Sequence, residues 1–166
     1  MKIDECIEKR YSCRKFKNEA VKDSEIEKIL EAGRLAPTAA NRQPERIIVL
    51  KDKKLIEKMN EATRYMFNAN VVFIICYDKN VSWKRRYDDK DYGDVDCALV
   101  ASNMVLMATS LNIGSCYVAS FDEKLAKEIL GLGDNMVISL MIPMGYPDEI
   151  KEHNTRLDLK DLVIYK

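Results

Sequence analysis

Residues 33–50, "GRLAPTAANRQPERIIVL", join a predicted helix to a predicted strand. Pro37 disfavours helical geometry in the residue before it, so the preceding helix is expected to end near Ala36. The segment 46–51 is short, β-branched and continuously apolar, which is typical of a buried strand. The residues between them are small or carry amide and guanidinium groups. They form either an ordinary helix-to-strand connection or a surface that holds a flat, polar, anionic ligand.

The hydrophobic pattern predicts further helices and strands on both sides of this stretch. A capping box of Ser24 and Glu27 is expected to open the helix before Pro37. Helices are predicted over residues 4–9, 23–36, 53–66, 92–111 and 122–130, and strands over 46–51, 71–77, 115–120, 136–144 and 161–166. The strand-like tail can add to a sheet edge, including the edge of a second subunit.

The predicted helix over 92–111 is the most apolar segment of the chain. Apolar side chains occupy most of its faces, which predicts burial all round, either in a large core or in a subunit interface. Asn112 and Gly114 supply the signal that ends it.

The composition is that of an ordinary soluble chain and argues against several functions. At 166 residues the chain is expected to form a single domain, residues 1–166. Basic and acidic residues number 27 each, so there is no excess positive charge for binding nucleic acid or an anionic membrane. The N-terminus has no apolar signal core, and no apolar run approaches the ~18 residues of a membrane span. The cytoplasm is therefore the expected location.

The cysteine and histidine content narrows the chemistry. Five cysteines without a C-x-x-C pair argue against a disulfide framework or a zinc ribbon. Cys76 and Cys97 lie in apolar runs and are expected to be small core residues. The single histidine, His153, excludes a metal site built on several imidazoles and leaves no evident catalytic triad. No phosphate-binding G-x-x-x-x-G-K-[ST] motif and no G-x-G-x-x-G motif occurs.

A second polar stretch, "EKRYSCRKF" (8–16), follows the first predicted helix. Arg10, Ser12 and Arg14 alternate there, so an extended backbone would point all three to one side. Two guanidinium groups and a hydroxyl on one face can clamp a dianion, because arginine matches phosphate oxygens with two parallel hydrogen bonds. The same spacing is also found in solvated basic surfaces.

Four segments in this order resemble the nitroreductase family of FMN-dependent oxidoreductases. They are "RYSCRKF" (10–16), "PTAANRQPERIIVL" (37–50), "LNIGSCYVASFD" (111–122) and "PMGYPDE" (143–149). The resemblance spans residues 6–160. It implies an α+β fold, a three-layer α/β/α sandwich on a mostly antiparallel sheet, in a homodimer whose C-terminal segments are exchanged. It also implies FMN as cofactor, NADH or NADPH as hydride donor, and a small acceptor such as a nitroaromatic compound or a quinone.

The resemblance assigns roles to individual residues. Arg10, Ser12 and Arg156 would bind the FMN phosphate, and Arg14 would lie near N1 and O2 of the ring, where negative charge accumulates on reduction. The other implied cofactor contacts are Thr38, Ala39 and Asn41 from the second subunit, together with Pro37, Gln43, Ala119, Ser120 and Gly145. Arg64 matches a cationic position of the family only loosely and is a candidate substrate-facing residue. Arg34 and Arg42 are interpreted as a helix-end charge and a surface charge. No side chain is expected to be a catalytic nucleophile or base, because the flavin carries the redox chemistry.

The chain also departs from the family pattern. Glu45 stands where the family often has tryptophan, and Ala119 or Ser120 replaces a common glycine. The segment that often forms a lid is reduced to residues 78–94, where Trp83, Arg85, Arg86 and Tyr87 either face a substrate or form a surface loop with one packed tryptophan. Two alternatives stay open: a different flavin reaction, such as reductive dehalogenation or flavin destruction, and flavin or nucleotide binding without catalysis.

Overall fold

A four-stranded antiparallel sheet forms the centre of the protein in a computed structural model that describes residues 1–151 and 155–166. His153 therefore lies outside the described residues. The strands are β1 (Glu45–Leu50), β2 (Val71–Asp78), β3 (Gly114–Ser115) and β4 (Met136–Gly145), in the spatial order β1-β2-β4-β3. Glu45 pairs with Tyr77, and Val71 pairs with Met144. The predictions for β1, β2 and β4 are confirmed.

Six α-helices surround this sheet in the described residues. They are α1 (Ile3–Lys9), α2 (Asp23–Arg34), α3 (Lys53–Lys58), α4 (Gly93–Ser110), α5 (Glu123–Leu130) and α6 (Leu159–Leu162), with 3₁₀ turns at Ala39–Asn41 and Met59–Glu61. Asp122 caps α5 by accepting a hydrogen bond from the Leu125 N–H, and Gly131 ends it at a φ of 65°. The predicted boundaries of α5 are confirmed.

Strand β2 separates two hydrophobic cores. Its odd-numbered residues, such as Phe73 and Ile75, pack in one core with α2 and α4. Its even-numbered residues, such as Ile74 and Cys76, pack in the other core with α3 and α5. Because successive side chains of a strand point to opposite faces, a strand buried on both faces is continuously apolar. The α/β/α sandwich is confirmed, and Cys76 and Cys97 are both core residues, as predicted.

The predicted capping box of α2 is wrong. The helix begins at Asp23 with Lys22 as its N-cap, and the Glu25 carboxylate accepts a hydrogen bond from the Lys22 N–H at 3.3 Å. The same carboxylate accepts a hydrogen bond from the Tyr146 hydroxyl at 2.5 Å. Glu25 thus joins the start of α2 to a residue 121 positions away in sequence. Ser24 and Glu27 do not cap the helix.

Helix α4 ends as predicted, but only one of its sides is buried within the chain. Asn112 adopts a φ of 58°, and the Ile113 N–H donates to the Ala108 carbonyl at 2.8 Å, which is a Schellman ending. Residues such as Cys97, Ala101 and Met104 face the core. Val95, Ala98, Leu99, Ser102 and Leu106, here called the outer face of α4, are exposed or half-buried.

Three other predictions are corrected by the structure. The segment 115–120 contributes only Ser115 to a strand and a single bridge from Val118 to Met141, because residues 116–120 leave the sheet. The helix predicted over 53–66 stops at Lys58 and becomes a 3₁₀ turn. The tail 161–166 is not a strand: α6 covers part of it, and the rest is exposed without a paired edge among the described residues. None of the described helices combines the length and the apolar character needed to cross a bilayer.

Candidate functional site

The segment that contains Arg10, Ser12 and Arg14, here called the cationic strip, is fixed along the edge of β3. The Cys13 N–H donates to the Ser115 carbonyl at 2.9 Å, and Ser12 forms a parallel bridge with Ser115. Cys13 is fully buried against Gly114, where an added Cβ would lie 2.7 Å from the Cys13 sulfur. This close approach leaves no room for a larger residue at Gly114, and it holds Ser12 and Arg14 on the opposite side of the backbone.

Cys116 and Tyr117 lie next to the cationic strip. Burial raises the pKa of the Cys116 thiol, and Arg14 and Ser12 beside it oppose part of that shift. Burial likewise raises the pKa of the Tyr117 hydroxyl, and Arg10 opposes it. Both groups therefore stay protonated near neutral pH and put no negative charge beside the cationic strip.

A turn at residues 119–120 continues this surface. The Ser120 carbonyl accepts a hydrogen bond from the Thr63 hydroxyl at 2.7 Å, and the Asp122 N–H donates to the Ala62 carbonyl at 2.8 Å. These bonds bring Arg64 to the turn, although the sequence matched it only loosely. The Arg64 guanidinium lies 5.2 Å from the centre of the Tyr65 ring. A cavity of about 350 Å³ opens here, and its lining includes Thr63, Arg64, Tyr65, Ser120 and Phe121.

Gly145 and Arg156, the other predicted cofactor-binding residues outside residues 37–43, have different surroundings. Gly145 is buried at the end of β4, pairs with Gly114, and an added Cβ would lie 3.1 Å from the Phe16 side chain. A side chain at this position would therefore require Phe16 to move by a few tenths of an ångström. Arg156 lies exposed on the C-terminal tail.

Residues 37–43, here called the wall, form a loop beside the first turn of α4. Ala40, Asn41 and Gln43 have φ values of 51°, 52° and 50°, a region that non-glycine residues seldom adopt. The Thr38 hydroxyl accepts a hydrogen bond from the Gln43 N–H at 3.1 Å, and the Gln43 side chain donates to the Asn41 carbonyl at 3.3 Å. Such strain persists only where the surrounding structure enforces it, and it is common at binding sites.

Asp96, a residue that the sequence did not single out, anchors this wall. Its side chain is 1% exposed, and Oδ1 accepts a hydrogen bond from the Ala39 N–H at 2.8 Å. Its second oxygen, Oδ2, has no hydrogen-bond partner among the described residues. The sequence did contain one signal for this role, namely an acidic residue beside Cys97 on the buried side of an apolar helix. A buried carboxylate of this kind needs a hydrogen-bond donor.

Helix α4 separates the two halves of the predicted site. Its first turn carries Asp96 and the wall, whereas its last turn leads through Ile113 to the cationic strip. Its 18 residues span about 27 Å at a rise of ~1.5 Å per residue. One chain therefore groups the cationic strip with residues 116–120 and Arg64, and it does not bring the wall to them.

The loop between β2 and α4 lies at the wall's end of the molecule. Trp83 packs edge-on against Tyr92 at 5.2 Å, and Arg85 is engaged by Asp88 and by the Tyr92 hydroxyl. Tyr87 is 96% exposed. Of the four predicted substrate-facing residues, Trp83 and Arg86 line a cavity of about 540 Å³ together with Arg42. Arg34, by contrast, pairs with Glu31 at the end of α2, as interpreted.

The residues of the cationic strip suit the phosphate of a nucleotide, because they combine two arginines with a hydroxyl and lie beside an open backbone turn. The N–H groups of Ala119 and Ser120 are exposed and donate no hydrogen bond within residues 1–151 and 155–166, and together with the charge of Arg14 they suit the polar edge of a flat ring. No cluster of three metal-ligating side chains occurs among residues 1–151 and 155–166.

Comparison with known proteins gives consistent results. The family model described as "Nitroreductase family" matches residues 7–67 and 64–146. A candidate NADH dehydrogenase/NAD(P)H nitroreductase from Archaeoglobus fulgidus is 33% identical over 160 residues, covering 90% of each chain. The crystal structure of a nitroreductase family protein from Clostridium difficile 630 is 35% identical, with a TM-score of 0.96 over 100% of this chain and 99% of that one. A candidate nitroreductase from Desulfovibrio desulfuricans, crystallised in complex with FMN, is 25% identical, with a TM-score of 0.86 over 100% of this chain and 97% of that one.

Proposed function

The chain belongs to the nitroreductase family, and from this premise we propose that it is a homodimeric FMN-dependent NAD(P)H oxidoreductase with a single domain. Bound FMN would supply the redox chemistry, taking hydride at N5 from NADH or NADPH and passing it to a small acceptor such as a nitroaromatic compound or a quinone. The observation that carries the proposal is the division of the predicted site between the two ends of α4. The cytoplasmic location stays a prediction.

The phosphate would be held at the cationic strip. Arg10 and Ser12 present a charge and a hydroxyl at the end of α1, where the backbone is fixed by Ser115. Arg156 would add a second charge from the tail. Charge-assisted hydrogen bonds from arginine to phosphate are about twice as strong as neutral ones, so Arg10 is expected to dominate retention of the cofactor.

The ring would lie along residues 116–120. Arg14 would supply a positive charge beside its pyrimidine edge, and the Ala119 and Ser120 N–H groups, which donate no hydrogen bond among the described residues, would donate to N5 and O4. The Thr63 hydroxyl orients this turn through the Ser120 carbonyl, and Arg64 borders it. These side chains bind and orient the cofactor, and none has to act as nucleophile or base.

A second subunit would complete the site. In a two-fold dimer whose α4 helices pack antiparallel on their outer faces, the wall of one subunit meets the cationic strip of the other. Leu99 is 41% exposed and Val95 44% exposed on that face. Such an apolar stripe on a long helix is typical of an interface. Thr38, Ala39 and Asn41 would then reach the partner's flavin, with Pro37 and Gln43 framing them.

The C-terminal tail supports the same dimer. It exposes the large apolar residues Leu157, Leu159, Leu162, Val163, Ile164 and Tyr165. A largely apolar cavity of about 620 Å³, bordered by Tyr11, Ile113 and Ile150, lies beside Arg10. We expect the partner's tail to cover it, which would also bring Arg156 to the phosphate.

The decisive experiment is to purify the protein, reconstitute it with FMN, and record its visible spectrum before and after adding NADH or NADPH without oxygen. A yellow dimer that bleaches and is reoxidised by a quinone or nitroaromatic compound is the expected result. A colourless protein that cannot take up FMN contradicts the proposal. A yellow protein that neither nicotinamide bleaches limits the function to flavin binding.

A further inference from the structure

The cavity of about 540 Å³ at the loop between β2 and α4, here called the basic cavity, has an unbalanced charge. Four cationic side chains line it: Arg42, Lys79, Lys84 and Arg86. No acidic residue borders it, and none of the four has an ion-pair partner within residues 1–151 and 155–166. Like charges that share a cavity repel one another, and an anion placed between them relieves that repulsion.

Two acidic residues of this loop, Asp78 and Asp91, hydrogen-bond to neutral donors. The Asp78 carboxylate accepts hydrogen bonds from the Asn80 N–H at 2.9 Å and from the Asn135 side chain at 3.0 Å. The Asp91 carboxylate accepts from the Ser82 hydroxyl at 2.7 Å and from the Gly93 N–H at 2.8 Å. Both carboxylates therefore brace the loop and give it a defined shape, and neither forms an ion pair with a cation of the basic cavity in the part of the chain that the structure describes.

The basic cavity adjoins the wall. Arg42 follows Asn41 and precedes Gln43, and the Asp78 N–H donates to the Pro44 carbonyl at 2.9 Å. In the proposed dimer, the wall faces the partner's flavin, so the basic cavity lies beside that flavin pocket. Trp83 also lines the cavity, is half-buried and presents an aromatic surface on which a purine can stack.

We propose that the basic cavity binds the adenosine 2′-phosphate of NADPH and makes the enzyme prefer NADPH over NADH. This inference rests on the proposed function, because it names the donor for the same flavin site. A phosphomonoester carries about −1.5 to −2 charges at pH 7, and arginine forks bind it through paired hydrogen bonds. NADH lacks this group and would leave the four cations unpaired.

The test uses the double variant Lys79→Ala/Arg86→Ala in the FMN-loaded protein, with Lys28→Ala on α2 as the matched control. All three side chains are exposed, so the substitutions are expected to preserve folding. Wild type is expected to have the higher kcat/KM with NADPH. In the double variant the ratio of kcat/KM for NADPH to that for NADH should fall about tenfold or more, whereas Lys28→Ala should keep the wild-type ratio.

A calorimetric titration with 2′,5′-ADP provides a readout independent of turnover. Wild type should bind this probe more tightly than 5′-AMP and inorganic phosphate, and the double variant should lose the difference. An unchanged donor ratio in the double variant overturns the inference, as does binding of inorganic phosphate as tight as that of 2′,5′-ADP. If the protein binds no FMN, the proposed function fails first, and the titration still decides whether the basic cavity recognises the 2′-phosphate.

Discussion

Replacing Asp96 with alanine tests whether the buried carboxylate on α4 holds the wall in its binding shape. The substitution removes the 2.8 Å hydrogen bond to the Ala39 N–H. A typical hydrogen bond contributes about 0.5–1.5 kcal/mol net, and two effects limit the loss. Ala39 is only half-buried, so water can reach the freed N–H. The variant also removes Oδ2, a buried oxygen without a partner among the described residues.

The net cost of Asp96→Ala is therefore expected to be about 1 kcal/mol, which lowers the Tm by about 2–4 °C in a protein of this size. Thermal unfolding of the apoprotein, followed by circular dichroism, measures that shift. Without this hydrogen bond, FMN must order the wall when it binds, and that ordering uses part of the binding free energy. The affinity for FMN should therefore fall about fivefold, as measured by flavin fluorescence titration.

Asp96→Asn is the matched control, because it keeps an acceptor oxygen for Ala39 at the same position. Its Tm and its affinity for FMN should stay close to those of wild type. If the asparagine variant loses as much as the alanine variant, the negative charge matters and the hydrogen-bond argument is refuted. If Asp96→Ala lowers the Tm but binds FMN normally, the wall is not part of the flavin site.

Three further predictions concern the cofactor, the interface and the core. Arg10→Ala should lose FMN on gel filtration while the surface control Arg34→Ala retains it; equal retention would mean that the phosphate site lies elsewhere. Leu99→Glu should convert the dimer to a monomer, as measured by light scattering, and should also lose flavin. The control Lys28→Glu should stay dimeric and keep its flavin, and a Leu99→Glu monomer that retains flavin would contradict the shared site. Burial raises the pKa of Cys76 to about 12. The folded protein keeps that proton above pH 9 while the unfolded chain loses it, so the free energy of unfolding should fall by up to about 1.4 kcal/mol per pH unit between pH 9 and 12. Urea denaturation at pH 8, 9 and 10 should show a shallower decline in Cys76→Ala, and an equal slope in both proteins would exclude this thiol as a cause.

The sequence predicted those elements whose signals are local. The boundaries of strands β1 and β2 were predicted within a residue or two, because short, β-branched, apolar runs are typical of buried strands. The end of α4 was also local, since Asn112 supplies the left-handed residue that closes it. The capping box failed because Glu25 is held by Tyr146, from a distant part of the chain that periodicity cannot reveal.

The candidate site shows the same division. The alternation of Arg10, Ser12 and Arg14 was readable because an extended backbone has a fixed period, and the structure places Ser12 and Arg14 beside Cys116. The sequence could indicate that Asp96 is buried, but it could not identify the partner, because Ala39 lies in a loop that packs against Asp96 from 57 residues away. Arg42 was interpreted as a plain surface charge, and only the folded loop brings it to a cavity with three other cations.

Because α4 keeps the two half-sites of one chain apart, the proposed dimer predicts complementation between two defective variants. A defect in Arg10 and a defect in Asn41 would damage opposite halves of a pocket, and each pocket draws those halves from different chains. When an Arg10 variant and an Asn41 variant are mixed, each heterodimer would collect both defects in one pocket and leave the other pocket wholly wild type. Two inactive preparations should thus regain activity on subunit exchange, with about half of the full flavin content in each mixed dimer.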